Sequence, residues 1–287
     1  MNRKQYWVAW LVVLAVAAAV PSVVRGQGPI VINPGLLNPI GLHPVVYWGD
    51  YNHGISYCVV GDEVNTFREI VADGTASGVT DLQFSNGILY WADEAENNPN
   101  SAYFGTLRGC YIADPRNPTP HDPFLINVTP VDAPQAMYVV HAGEYGERIY
   151  WVNNQKQAVY MAMRLMTTPS GEPIYLPQTL WSRSGSGDWF PNGLQATTDL
   201  STNRVYWADW VTNEIAWIPL TQGYPEPTLL SVEPIRRPRD IQLAGHTLYW
   251  CNEYDEQWNL NTTVAAYYCD ITAYGQTRSG RRESMVP

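Results

Sequence analysis

Few residues of this sequence have the types and spacing that catalysis requires. The 287 residues contain no His-Glu-x-x-His, no Gly-x-Ser-x-Gly and no phosphate-binding loop, and the four Cys are not spaced as zinc ligands. The acidic run at 93–98 lacks the spaced carboxylates of a calcium loop. The sequence therefore predicts a protein that is not an enzyme and holds no metal or other cofactor, and whose chemistry is binding.

The charge balance and the N-terminus indicate an exported acidic protein. The chain has 17 Lys and Arg against 27 Asp and Glu, a formal net charge of −10. Nucleic acids and anionic membranes need a basic surface, so neither is an expected partner. Arg3 and Lys4 precede a short apolar run and a stretch of small residues, which is the order of a secretory signal peptide. We predict a signal peptide at 1–26 and a secreted, extracellular chain at 27–287 without membrane insertion.

Two sequons agree with this destination. Asn127 and Asn261 each begin an Asn-x-Thr triplet, so N-glycosylation is predicted at both. Pro130 follows the first triplet and is expected to lower its use.

The dipeptide Tyr-Trp recurs five times, and each Trp is followed two residues later by Asp or Asn. The tyrosines are Tyr47, Tyr90, Tyr150, Tyr206 and Tyr249. The acids and amides are Asp50, Asp93, Asn153, Asp209 and Asn252. Periods of about 40 to 60 residues with strand-like segments are typical of β-propellers. The sequence therefore predicts an all-β propeller domain at 27–287 with five visible repeats centred on these tyrosines.

The fourth repeat shows the four strands expected in each unit. They are an innermost strand opening at 190–194, a second strand at 205–208, a third at 214–219 and an outer strand at 228–232. Aromatic side chains on both faces of the second strand require packing on both sides, so each Tyr-Trp pair is expected in the core. The recurrent Asp or Asn is expected to bond the backbone of a neighbouring strand.

The four Cys fall on predicted strands, and in an oxidising compartment disulfides are the default. Cys251 and Cys269 lie on neighbouring antiparallel strands, and a bridge would close a loop of about 19 residues, worth on the order of 3 kcal/mol. Cys58 and Cys110 lie on third strands of successive repeats, where a bridge requires a loop to bend inward. Both bridges are predicted, with buried free thiols as the alternative for Cys58 and Cys110.

The repeat resembles the YWTD repeat, the class B repeat of the low-density-lipoprotein receptor and nidogen. Tyr-Trp-x-Asp preceded by Pro-Asn-Gly-Leu carries the resemblance, which is fullest at 189–210, WFPNGLQATTDLSTNRVYWADW, and extends over 34–287. The third repeat departs from it, with Asn153 in place of the acid. The family's repeats form six-bladed propellers that bind protein ligands without catalysis. The resemblance thus implies a propeller that acts as a protein-binding module.

The number of blades is left open by this resemblance. Five repeats are visible where the family has six, and the segments at 29–32 and 283–286 both have the character of outer strands. Three interpretations follow: a five-bladed ring, an open six-bladed ring completed by a partner, or a truncated chain. The surplus strand favours the last two.

Residues that open the innermost strands of a propeller converge on its channel, which makes them candidate ligand contacts. The predicted ligand-binding set joins such residues to aromatic residues of the fourth repeat: Asp81, Gln135, Phe190, Asn192, Trp210, Arg239 and Asp240. In the resembling family the aromatic-Pro-Asn-Gly loop, here at 190–193, helps to line the ligand-binding face. Aromatic and charged groups side by side are typical of binding hot spots. The alternative is that the channel residues bond only each other and water.

Three functions follow from these features. The first is a secreted binding propeller whose partner is an extracellular protein. The second is a structural subunit of an extracellular assembly or filament, which binds copies of itself. The third is an enzyme of the gluconolactonase and strictosidine synthase type, in which Asn192 would supply a metal or substrate ligand beside Asp81 and Asp240.

Overall fold

The structure is a computed structural model. The residues that it describes are 30–32, 45–50, 54–60, 62, 64, 67–71, 75–97, 104–112, 122–141, 146–169, 173–183, 189–197, 203–220, 226–230, 235–253, 265–271 and 279–283. Among these residues no helix has the length and apolar character needed to cross a membrane. The predicted signal peptide at 1–26 and the predicted glycosylation site Asn261 lie outside the described residues.

The chain divides into two compact units, Met1–Ala133 and Pro134–Pro287. The first unit contains two four-stranded antiparallel sheets. Sheet 1 consists of β1 (Ile30–Ile32), β2 (Val45–Asp50), β3 (Gly54–Val59) and β4 (Arg68–Val71). Sheet 2 consists of β5 (Val79–Ser85), β6 (Ile88–Asn97), β7 (Phe104–Tyr111) and β8 (Phe124–Leu125).

The second unit contains three sheets of the same kind, and within each the strands are ordered as in the chain. Sheet 3 consists of β9 (Pro134–His141), β10 (Glu147–Asn153), β11 (Ala158–Thr167) and β12 (Pro173–Ser182). Sheet 4 consists of β13 (Pro191–Ala196), β14 (Arg204–Asp209), β15 (Glu214–Pro219) and β16 (Thr228–Leu229). Sheet 5 consists of β17 (Pro238–Ala244), β18 (Thr247–Asn252), β19 (Ala265–Asp270) and β20 (Ser279–Glu283). The all-β prediction is confirmed.

The Tyr-Trp pairs lie on the second strand of each sheet and form the cores, as predicted. The buried members are Tyr47, Trp48, Tyr90, Trp91, Tyr150, Trp151, Tyr206, Trp207 and Trp250. Tyr249 is the exception, because its side chain is partly exposed. Each buried ring removes about 150–250 Å² from water, so these pairs supply much of the apolar burial that packs one sheet against the next.

β1 occupies the innermost position of sheet 1, so the prediction of an outer strand at 29–32 is wrong. Val31 of β1 lies opposite Tyr47, and β2 separates β1 from the third strand. The segment Ile-Val-Ile is apolar at every position and has no alternation that would distinguish an inner from an outer strand. The second predicted outer strand, 283–286, shares only Glu283 with β20, the outer strand of sheet 5, and its other residues lie outside the described ones. Among the described residues each of the five sheets has four strands, and no surplus strand that would favour a sixth blade occurs there.

The strand boundaries predicted for the fourth repeat are close to those of sheet 4. The third strand has the predicted bounds, and the second is longer by one residue at each end. The outer strand β16 is shorter than predicted, with only two residues. The repeat therefore predicts the order of the strands better than the length of the outer one.

The predicted disulfides are wrong, since the structure has no bridge at any of the four Cys, which are all buried. On β18 and β19, Cys251 lies opposite Ala266 and Cys269 lies opposite Leu248. The two Cys are thus offset by three positions, which corresponds to about 10 Å along a strand and to opposite faces of the sheet. Bridged Cα atoms lie within about 7 Å of each other.

Cys58 and Cys110 belong to different sheets, on β3 and β7. Cys58 lies opposite Val46 and Cys110 lies opposite Leu89. Both side chains are therefore held within regular strands, and the inward bend that a bridge would require is absent from these strands. The alternative of two buried Cys without a bridge describes this pair correctly.

Candidate functional site

A β-bulge recurs at the same place in the first strand of four sheets. The register with the second strand skips one residue directly after the first strand begins. The skipped residues are Thr80, Gln135, Asn192 and Arg239. A bulge leaves its extra residue outside the ladder and turns its side chain in a new direction. The bulges therefore distinguish the predicted positions Gln135, Asn192 and Arg239 from the rest of their strands.

In sheets 4 and 5 the recurrent Asp or Asn holds the loop that leads into the first strand, in agreement with its predicted role. Asp209 is buried, and its Oδ1 accepts hydrogen bonds from the backbone N–H of Phe190 at 3.3 Å, Val211 at 2.9 Å and Thr212 at 3.2 Å. One oxygen thus fixes the loop before β13 and the turn after β14. In sheet 5, Asn252 Oδ1 accepts a bond from the backbone N–H of Arg236 at 3.1 Å.

These fixed loops bring two arginines onto one tryptophan. The Cζ atom of Arg237 lies 4.5 Å from the centroid of the Trp210 ring, and that of Arg239 lies 4.8 Å from it. Both distances are within the roughly 6 Å range of cation–π attraction. Trp210 comes from the turn after β14, whereas both arginines come from the start of β17. The contact therefore joins sheets 4 and 5 within the second unit.

Glu253 connects the three partners. Its Oε1 lies 3.0 Å from Nη2 of Arg239, and its Oε2 lies 3.9 Å from Nη1 of Arg237. Its Oε2 also accepts a hydrogen bond from the indole Nε1–H of Trp210. One carboxylate thus faces two guanidinium groups, and the local balance has one positive charge in excess.

Phe190 completes the group, which we name the Trp210 cluster: Phe190, Trp210, Arg237, Arg239 and Glu253. The rings of Phe190 and Trp210 meet edge to face, with centroids 6.0 Å apart and an interplanar angle of 61°. Both residues are partly exposed. Of the charged side chains, Arg237 is the most open, with 38% of its surface exposed. The cluster is thus an aromatic and cationic surface that solvent, or a ligand, can reach.

The backbone around the cluster is constrained. Arg237 has φ of +50°, which non-glycine residues adopt rarely, and its N–H donates to Oδ1 of Asn213 at 2.8 Å. Pro238 follows it and Pro191 follows Phe190, so two prolines fix φ beside the cluster. Side chains held on such a backbone lose little conformational entropy when a ligand binds.

Gly193 permits the close approach of β13 to β17. A Cβ atom at this position would lie 2.7 Å from the backbone N of Ile241 and 3.0 Å from Cα of Asp240. Real Cβ atoms do not come so close to backbone atoms, so only glycine fits. The Pro-Asn-Gly sequence of the fourth repeat therefore has a packing reason at its third residue.

Asp240 is the titratable group affected by this approach. The residue is open to solvent, but the surrounding protein atoms desolvate its carboxyl group and raise its pKa from 3.8 to about 7, against a backbone hydrogen bond from Ile241 that lowers it. Solvent offsets part of this desolvation, so the packing explains that the pKa of Asp240 is raised. Cys251 lies opposite Asp240, and burial, followed by the charge of Asp240, raises the pKa of its thiol to about 12.

The structure brings together part of the predicted ligand-binding set. Phe190 and Arg239 each contact Trp210 within the Trp210 cluster. Asn192 and Asp240 flank it. Asn192 directly precedes Gly193 of the close approach, and Asp240 directly follows Arg239 of the cluster.

The remaining two predicted residues are placed differently. Gln135 is buried, with 4% of its surface exposed, so it offers a ligand almost no contact area. Asp81 lies in the first unit, where its Oδ1 accepts a bond from the N–H of Leu82 at 2.8 Å. Neither joins the Trp210 cluster.

Arg237 and Glu253 are functional candidates that the sequence analysis missed. A signal for Arg237 was available, since three of the four residues at 236–239 are arginines in an acidic chain. Glu253 directly follows the recurrent Asn252, but its contact with Trp210 spans 43 positions of the chain. No group of three or more His, Cys, Asp or Glu that could hold a metal ion occurs within the described ranges.

Comparisons with known proteins reach this chain only through structure. No protein-family model and no curated protein matches the sequence. The structure of the nidogen/laminin complex matches at 15% identity, covering 81% of this chain and 74% of that chain, with a TM-score of 0.52. A protein from Lactobacillus plantarum matches at 15% identity, covering 84% of this chain and 63% of that one, with a TM-score of 0.51.

The fold is a β-propeller. The five sheets are its blades. A further propeller, from Bacteroides uniformis and provisionally described as a 6-phosphogluconolactonase, matches at 12% identity over 86% of this chain and 64% of that one, with a TM-score of 0.45. At these identities the likeness shows the fold alone, so membership of the YWTD family stays a prediction. The choice between binding and catalysis is likewise not decided by the comparisons.

Proposed function

We propose that this propeller is a secreted binding module that holds an extracellular protein ligand on the Trp210 cluster. The single observation that carries the proposal is the stacking of Arg237 and Arg239 on the partly exposed ring of Trp210. Trp, Arg and Tyr are the residues most enriched among binding hot spots. A site built from Trp and two Arg has that composition.

The charges of the cluster favour a ligand that presents a carboxylate or an amide oxygen. The cluster contains two arginines and one glutamate, so it is a cationic group of residues in a chain whose formal net charge is −10. An acceptor group on the ligand can therefore bond Arg237, the more exposed arginine, while an apolar side chain packs on Phe190. Bonds from a guanidinium to a carboxylate are charge-assisted and directional, which gives orientation as well as affinity.

The comparisons support this proposal in one respect: a similar fold occurs in a protein that was solved in complex with another protein. The nidogen/laminin complex is a complex of proteins, and its structure resembles this chain in fold. The resemblance of the Tyr-Trp repeats to the YWTD repeat points the same way. The contact residues proposed here are taken from this chain alone.

Secretion is part of the proposal and can be tested by itself. The predicted signal peptide and the two sequons support it, and Asn127 is exposed and can accept a glycan. Intact-mass analysis of the exported protein is expected to show a chain that begins near Gln27 and carries sugar at Asn261. A retained N-terminal segment without sugar would contradict export by this route.

The binding proposal is tested with a pair of matched double variants. Phe190→Ala with Arg239→Ala removes an aromatic ring and a guanidinium from the cluster. Phe67→Ala with Arg68→Ala removes the same two groups from an exposed place in sheet 1. Both proteins, with wild type, serve as baits in native extracellular fluid after their thermal melts have been compared.

The expected result is that wild type and the Phe67 and Arg68 variant recover the same partner, whereas the cluster variant loses affinity for it by about thirtyfold or more at an unchanged melting temperature. This loss corresponds to the range of about 2–4 kcal/mol for hot-spot truncation. Equal recovery by all three proteins would move the binding site away from the Trp210 cluster.

A further inference from the structure

β12 differs from every other outer strand that the structure describes. It has ten residues, whereas β4 has four, β8 has two, β16 has two and β20 has five. β12 forms the edge of sheet 3 and pairs there with β11. Proteins commonly keep edge strands short, because a long edge is a template for pairing with another chain. The length of β12 is therefore a feature to be explained.

One face of the β11–β12 hairpin carries exposed apolar side chains. Met163 lies opposite Leu176, and Met166 lies opposite Ile174, so these four side chains share a face. Met166 is 61% exposed, Leu176 52% and Ile174 40%. We name Met166, Ile174 and Leu176 the hairpin patch. Adjacent exposed apolar side chains on an edge are typical of an interaction surface.

The strand segments that carry the patch have no charged residue of their own, and Arg164, which directly precedes the first of them, bonds Thr167. The segments 165–169 and 173–182 contain no Asp, Glu, Lys or Arg. Charged residues, Lys above all, are a common means of preventing edge-to-edge pairing, and β12 has none. Because the chain has a formal net charge of −10, two copies repel each other over most of their surface. An uncharged edge is the place where copies can meet.

We propose that β12 pairs with β12 of a second copy across a twofold axis, in an antiparallel arrangement centred on Tyr175. A strand edge is self-complementary in this geometry, as an isologous interface requires. Ile174 of each copy then lies opposite Leu176 of the other, and the hairpin patches adjoin. Pro173 and Pro177 lack N–H groups and limit pairing on an edge, so the paired segment is the short stretch 174–176 between them and not the whole of β12.

The opposite face of the hairpin holds the edge in place. The hydroxyl of buried Tyr175 donates a hydrogen bond to Oε1 of buried Glu147. Nη1 of Arg164 lies 3.7 Å from Oε2 of the same carboxylate, and Nδ1 of His141 lies 3.9 Å from it. These groups form one row across the four strands of sheet 3. They fix the middle of β12 from inside and leave Ile174 and Leu176 facing outward.

The dimer is expected to be weak. A short paired segment and a few apolar side chains make a small interface against the roughly 800 Å² per partner of a standard one. The proposal is independent of the Trp210 cluster, which lies on sheets 4 and 5.

The first test is sedimentation of the purified protein, expressed from the full chain, over a range of concentrations. Wild type is expected to shift from monomer to dimer as the concentration rises. Ile174→Lys with Leu176→Lys places like charges on both sides of the axis and is expected to weaken association at least tenfold. Leu229→Lys makes the same change on the short outer strand β16, where the residue is 50% exposed, and is expected to dimerise as wild type does. A monomeric wild type at every concentration would overturn the proposal.

The second test fixes the register. Ile174→Cys and Leu176→Cys proteins are prepared separately and oxidised alone or mixed, and the native Cys are buried in each. Pairing centred on Tyr175 predicts cross-linked dimers in the mixture and few in either protein alone. Cross-links that form equally well within each single variant would contradict this register, as would cross-links to a different protein in place of a second copy.

Discussion

The guanidinium group of Arg239 lies over the indole ring of Trp210, with its Cζ atom 4.8 Å from the ring centroid. The same arginine forms an ion pair with Glu253. A ligand carboxylate would compete with Glu253 for this guanidinium. We therefore expect the removal of the charge of Glu253 and the removal of the charge of Arg239 to have opposite effects on binding.

Glu253→Gln removes the competing charge and keeps an oxygen that can accept the Trp210 Nε1–H, so recovery of an acidic partner is expected to rise. Arg239→Gln is expected to lower it. Each change should alter the free energy of unfolding by less than about 1 kcal/mol, because partly exposed ion pairs contribute little. Quantitative capture with both variants and wild type is the measurement, and changes of equal sign would contradict the role given to Arg239.

Asp209 is expected to control the shape of the site without touching a ligand. Asp209→Ala removes the acceptor for three backbone N–H groups, at a cost of about 1–3 kcal/mol. Asp209→Asn keeps an acceptor oxygen, and Asn stands at this place in sheets 3 and 5, so it is expected to cost less than half as much. Chemical denaturation measures both. Equal losses would mean that the charge matters and not the hydrogen bonds.

Trp207 is expected to be a stability residue. It is 2% exposed and stacks on Trp181 with centroids 5.5 Å apart. Trp207→Ala should destabilise the protein by about 3–5 kcal/mol, the range for a buried aromatic replaced by Ala. The control is Trp217→Ala, since Trp217 is partly exposed and packs on the edge of a core, beside Tyr206 and under Arg204, whose Cζ lies 4.2 Å from its ring centroid. A loss below about 1 kcal/mol for Trp207→Ala would refute the core role of the Tyr-Trp repeat.

Asp240 is expected to make stability depend on pH. Packing raises the pKa of its carboxyl group in the folded protein above the value of about 3.9 in an unfolded chain, to about 7 at most, so the folded state binds more protons between these limits. Stability therefore falls as pH rises from about 4 to about 7, and the loss is complete above that range. Asp240→Asn should flatten this part of the plot of stability against pH, whereas Asp122→Asn, at an exposed aspartate, should leave it unchanged. Melts from pH 4 to pH 8 that show equal slopes in all three proteins would contradict this assignment.

The repeat in the sequence predicted most of the fold because its signal is local. A Tyr-Trp pair after aliphatic residues marks the second strand of each sheet, and the neighbouring strands follow from turns nearby. β1 was not predicted correctly because its place depends on pairing with Tyr47, which lies beyond an intervening segment. The disulfide prediction for Cys251 and Cys269 failed for a related reason. The register of β18 with β19 decides whether the two Cys face each other or are offset.

The site was predicted in part for the same reason. Phe190 and Arg239 stand at strand openings that the repeat marks in the sequence. The bulges at Asn192 and Arg239 are set by register with the second strand, which composition does not reveal. The partnership of Trp210 with Glu253 spans 43 positions and becomes visible only when sheets 4 and 5 are placed side by side.

The measurement that tests the binding proposal most directly is site-specific photocrosslinking in native extracellular fluid. A photoreactive residue at Val211, which is 37% exposed and directly follows Trp210, is compared with one at Leu229, which is 50% exposed on the outer strand of the same sheet. We predict that position 211 captures one extracellular protein that position 229 does not, and that Arg239→Ala abolishes this capture. Identical products from both positions, or capture at 211 that survives Arg239→Ala, would contradict the assignment of the Trp210 cluster as the binding site.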